Sequence, residues 1–95
     1  MYNYKRQERL EIARVVILGS LCESISTHES QELARMHKPR LDPTFQNVRH
    51  ILREMIYKML DDDETLRWSE SVLAGGEVSL SHHRFSDGSF SLTLN

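Results

Sequence analysis

Residues 42–60, DPTFQNVRHILREMIYKML, decide the fold. Asp42-Pro43 joins a side chain that accepts a hydrogen bond from the free amides of a helix start to a proline whose missing N–H costs nothing at the first helical position. Behind that start, Phe45, Val48, Leu52, Met55, Ile56 and Met59 recur at helical spacing on one side, while Gln46, Asn47, Arg49, His50, Arg53 and Lys58 fall on the other. The stretch predicts an amphipathic helix over about 43–60. Its apolar stripe faces a core, and its amides and cations are left for water or another molecule.

Upstream, Leu10, Ala13, Ile17, Leu21 and Ile25 repeat at helical spacing from about 7 to 24, and Ile12, Val16 and Leu18 widen the stripe. The β-branched run Val15-Val16-Ile17 followed by Gly19 also fits a short buried strand, and the length of the repeat favours helix. Ser26 and Glu29 have capping-box spacing, each side chain placed to satisfy the other's backbone N–H, which starts a short helix over about 27–37. Lys38-Pro39 ends it, because proline disfavours helical geometry in the residue before it.

Downstream, Asp61-Asp62-Asp63-Glu64 interrupts the apolar pattern and caps a fourth helix over about 64–74. There Leu66, Val72 and Leu73 face inward, Trp68 sits one turn from Val72, and Gly75-Gly76 stops the chain. Residues 77–94 read as a hairpin turned at Ser86-Asp87-Gly88. A two-residue Asp-Gly loop would split the apolar set between the two faces. A three-residue loop with Gly88 left-handed pairs Arg84 with Phe90, His82 with Leu92 and Leu80 with Leu94, which gathers that set on one face. The expected class is α+β, mostly helical, with three to four helices followed by a C-terminal β-hairpin in a single domain over 1–95.

The 12 Lys+Arg against 14 Asp+Glu leave a net charge of −2, so the chain has no general positive field, and any contact with phosphates must come from local segregation of charge. A single cysteine, Cys22, excludes an intrachain disulfide and a cysteine-based zinc site within one chain, which fits a reduced, cytoplasmic setting. The longest apolar run, Val15-Val16-Ile17-Leu18, is too short to span a bilayer, and Met1–Arg9 is not followed by a signal-peptide core. A soluble chain with its own N-terminus, free of membrane contact, is expected.

The order of a helix, a capped short helix, a turn, a polar-faced helix and a terminal hairpin resembles the winged helix-turn-helix family of DNA-binding domains. The resemblance lies in element order and carries no specific motif. It implies that the helix after the turn enters the major groove of double-stranded DNA and that the hairpin touches the backbone or the minor groove. Gln46, Asn47, Arg49, His50 and Arg53 would then read bases or phosphates, Thr44, Lys38 and Arg40 would contact phosphates, and Arg84 with His83 would lie near the wing.

Other chemistry has less support. Adjacent strand residues point to opposite faces, so His82 and His83 cannot chelate one ion from the same side, and His28, His37 and His50 have no metal-ligand spacing. The acidic run 61–64 lacks calcium-loop spacing. Cys22 lies by the apolar stripe of the first helix, where a buried, inert thiol is the plain reading. No nucleophile elbow, phosphate-binding glycine loop or zinc-hydrolase motif occurs. The sequence thus points to a non-enzymatic regulator without metal, cofactor or small-molecule substrate. It acts either on DNA or on a protein partner through the hairpin edge or the first helix, and a homodimer is expected in both cases.

Overall fold

The computed structural model describes residues 4–37, 44–82 and 89–95. Its elements are α1 (Tyr4–Ser24), α2 (Thr27–His37), α3 (Phe45–Met59), α4 (Asp62–Leu73), β1 (Val78–His82) and β2 (Phe90–Leu94). This is the mostly helical α+β class, with four helices and then an antiparallel hairpin. No helix among the described residues is long and apolar enough to cross a membrane.

Local chemistry sets the helix boundaries. The Ser26–Glu29 capping box forms as expected, Glu29 N–H donating to Ser26 Oγ and Ser26 N–H to Glu29 Oε1, each at 3.1 Å. Asp61 and Glu64 form a second box at the start of α4, so that helix begins at Asp62 rather than near residue 64. α3 corrects the sequence reading by two residues. Its N-cap is Thr44, in extended backbone geometry and accepting from Asn47 N–H at 3.3 Å, and its first helical residue is Phe45. Asp42, Pro43 and the Phe45 side chain lie outside the described residues. The run 15–18 is helical, which settles the helix-or-strand alternative.

α4 ends in a Schellman arrangement, with Gly75 N–H donating to the Val72 carbonyl at 3.0 Å and Gly76 N–H to the Ser71 carbonyl at 2.7 Å. Gly75 has φ +105°, the left-handed region that favours glycine. A Cβ on Gly76 would sit 2.8 Å from the Ser71 carbonyl oxygen.

One core gathers Ile17, Leu18 and Leu21 of α1, Leu33 of α2, Val48, Ile51, Leu52, Met55 and Ile56 of α3, Leu60, and Val78, Leu80 and Phe90 of the hairpin. α1 makes its most extensive contact with α4, and also packs on α3 and β1, while α2 rests on α3. Trp68 and Val72 pack against this core from α4. Two inward assignments are corrected. Met59 is 42 % exposed: it is the last residue of α3 and borders an open hollow with Met36, Met55 and Phe90. Leu73 is 74 % exposed, although it continues the four-residue step of buried Thr65 and Ser69, because it is the last residue of α4.

The hairpin gathers its apolar residues on one face as expected, but its register is two residues from the expected one. Val78 pairs with Leu94, Leu80 with Leu92 and His82 with Phe90. A shift of two preserves facing, and this register gives Val78 an apolar partner where the other would carry it past the end of β2. The loop 86–88 and Arg84 lie outside the described residues. Glu77 and Asn95 extend the ladder with a reciprocal backbone pair at 3.0 and 2.8 Å. That places the Val78 N–H and carbonyl on the outer edge of β1, where Ser20 Oγ accepts at 2.9 Å and Ser24 Oγ donates at 2.7 Å. On the water-facing side, the Thr93 hydroxyl lies 3.1 Å from both the Ser79 and the Ser81 hydroxyls.

Candidate functional site

α3 turns Gln46, Arg49, His50 and Arg53 outward, where the four line one open depression. Asn47 is half-buried, with its backbone held by the Thr44 cap. Thr44, expected as a phosphate contact, thus has its hydroxyl engaged as a cap acceptor. Lys38, Arg40 and Arg84 lie outside the described residues, as does His83.

The basic side chains of this surface are interleaved with carboxylates. Arg53 Nη2 lies 3.6 Å from Glu11 Oε2 and His50 Nε2 lies 3.2 Å from Glu54 Oε1, and on α2 Arg35 Nη1 lies 2.9 Å from Glu32 Oε1. Arg49 alone among Arg35, Arg49 and Arg53 has no carboxylate partner among the described residues. A duplex approaching α3 meets alternating charge rather than a continuous positive band.

Beside the depression lies a polar knot that was not singled out from the sequence. The Tyr57 hydroxyl donates to Glu11 Oε1, which also accepts from Arg14 Nη1 at 2.9 Å. The Arg14 and Arg53 guanidiniums lie over the Tyr57 ring, 4.2 and 5.2 Å from its centroid, and Arg14 Nη2 reaches Asp62 at 3.5 Å. The Tyr57 hydrogen bond, with Arg14 and Arg53 beside it, holds the Glu11 carboxyl below its ordinary value against the partial burial that pushes it up. Glu11–Arg14 and Arg53–Tyr57 are pairs spaced three and four apart, the one signal of this knot in the sequence.

Cys22 is half-buried and free. It lines a cavity of about 250 Å³ with Ile25, Thr27, Ser30, Val48, Arg49 and Leu52. Burial pushes its thiol up, and the Arg49 charge opposes that shift. No group of three or more His, Cys, Asp or Glu side chains among the described residues is placed to hold a metal ion.

The other surface with a clear bias is on α1. The stripe Leu10, Ala13, Ile17 and Leu21 is buried, yet Ile12 is 64 % and Val15 58 % exposed, with half-buried Val16 and exposed Gly19 beside them. Val15, Val16 and Gly19 border a groove shared with Glu23, Val72, Gly75 and Glu77. α1 thus carries apolar side chains on two sides, one inside the fold and one facing water.

No protein-family model matches the chain, and neither a curated protein nor a solved structure matches it.

Proposed function

We propose that this chain is a non-enzymatic protein-binding regulator or adaptor that works through the outward stripe of α1. The observation that carries the reading is the exposure of Ile12 and Val15 in the middle of a 21-residue helix whose other side is already buried. Covering two such side chains contributes roughly 1–2 kcal/mol each, a gain the chain by itself leaves unused. The free thiol of Cys22 suits a reducing, cytoplasmic setting for this role.

A photo-crosslinking side chain at Val15 tests the reading. Irradiation is expected to give a covalent adduct with protein, lost when Ile12 is changed to Asp; an absence of adducts in both the purified protein and an extract of its source cells counts against it.

DNA binding in the manner of a winged helix is the second reading, favoured by the shared depression of Gln46, Arg49, His50 and Arg53. It ranks second because Glu11 and Glu54 lie among the same basic side chains. Duplex affinity that falls steeply with salt and disappears in Arg49→Ala/Arg53→Ala would reverse the order.

A further inference from the structure

The outward stripe of α1 also has a charge order that bears on what covers it. Lys5, Arg9, Ile12, Val16, Gly19 and Glu23 follow one another at alternating steps of four and three, the a/d spacing of a coiled-coil seam. All are exposed except half-buried Val16. The basic residues stand at the start of α1 and the acidic one in its last turn, the reverse of what the helix dipole favours, and α1 has no acidic residue in its first turn and no basic residue in its last. Lys5, Arg9 and Glu23 make no ion pair among the described residues. Glu77 borders the same groove as Glu23, adding a second carboxylate at that end.

We infer that the stripe is covered by a second copy of this chain, its α1 running antiparallel with Lys5 against Glu23 and Ile12 against Val16. The inference rests on the protein-binding reading above and names the partner for that surface. Its support is self-complementarity. In the antiparallel arrangement Lys5 meets Glu23, Arg9 lies over Gly19 and Ile12 packs on Val16, and the two-fold axis repeats each layer. Gly19 offers open space there, since an added Cβ would meet nothing within 4 Å.

The alternatives are worse by charge. A parallel pair sets Lys5 on Lys5 and Glu23 on Glu23. An antiparallel pair slipped so that Ile12 faces Gly19 brings Glu8 against Glu23. The favoured register leaves Glu8 opposite Ser20, and the inverted charges at both ends of α1 gain partners of opposite sign. One helix pair is a small interface, so dissociation is expected on the order of micromolar.

Sedimentation velocity on the full chain, from low micromolar to near-millimolar concentration, tests this. A monomer–dimer equilibrium is expected. Glu23→Lys should weaken it about tenfold by setting cation against cation, and adding Lys5→Glu to that chain should restore it. A dimer indifferent to both charge reversals overturns the inference. So does a chain monomeric throughout. If that monomer still crosslinks through Val15 to a different protein, the protein-binding reading stands with another partner; if it crosslinks to nothing, both fail.

Discussion

The Tyr57 hydroxyl donates a hydrogen bond to the Glu11 carboxylate, tying the last turn of α3 to the second turn of α1. The same carboxylate is flanked by Arg14 and Arg53, so a single acidic side chain links two cations and a phenol across the helix pair. This link places Arg53 as well, because its guanidinium reaches both Tyr57 Oη, at 3.3 Å, and Glu11.

Because these partners hold the Glu11 carboxyl below its ordinary value of 4.5, its contribution to stability is present above that pH and is lost as pH falls through the depressed folded value. Glu11→Gln should therefore be less stable than the parent chain near neutrality, and the difference should shrink as the pH is lowered below 4.5. Tyr57→Phe removes the largest of the lowering contacts and should move the Glu11 midpoint back up. Urea unfolding across pH and carboxyl NMR titration measure the two effects. A gap between parent and Glu11→Gln that stays constant down through the acid range would contradict the assignment.

Ser20 and Ser24 hold the outer edge of β1 to α1, and Val78 between them is fully buried. Ser20→Ala leaves the Val78 N–H without its acceptor, at a cost of about 1–3 kcal/mol. Ser24→Ala should cost less, since a carbonyl tolerates a missing donor better than a buried amide tolerates a missing acceptor. Amide exchange at Val78 should quicken in the Ser20 variant, whereas unchanged protection would mean that the serine does not anchor the strand.

Gly75 and Gly76 are neighbours with different requirements. Gly75→Ala places an L side chain at φ +105° in open space, a backbone strain of about 1–2 kcal/mol. Gly76→Ala drives a Cβ to 2.8 Å from one backbone oxygen and 3.2 Å from another, those of Ser71 and Asn95. Neither can swing aside as a side chain would, so the hairpin itself must shift, at about 1–3 kcal/mol. Denaturant midpoints should fall in both variants. Only Gly76→Ala should also disturb the chemical shifts of Glu77 and Asn95.

Local signals account for most of the fold that was readable from the sequence. Ser26 with Glu29, and Asp61 with Glu64, act within four residues of chain and needed no tertiary context. The amphipathic stripe of α3 and its outward Gln46, Arg49, His50 and Arg53 followed from periodicity alone. The strand register did not, because pairings two residues apart put the same side chains on the same face and the apolar pattern cannot separate them. The two apolar sides of α1 were merged into one broad stripe, since side chains all around a helix do not say which of them another element covers. The Glu11–Arg53 pairing joins residues of two helices, so it could be seen only once α1 and α3 were packed together.

Arg49 has no carboxylate partner among the described residues, and it also lines the cavity that holds Cys22. The two residues are coupled electrostatically. Burial raises the thiol above its ordinary value and the guanidinium pulls it back, so Arg49→Ala should raise it further. The same substitution removes a long side chain from the cavity lining, which by itself would speed the entry of a thiol reagent. The two effects separate in the pH–rate profile of a disulfide reagent, because access changes the plateau and charge changes the midpoint. Arg49→Ala should move the midpoint to higher pH whatever happens to the plateau, and Arg49→Lys should keep it near that of the parent. A midpoint that does not move in Arg49→Ala would mean that the guanidinium is screened from the sulfur.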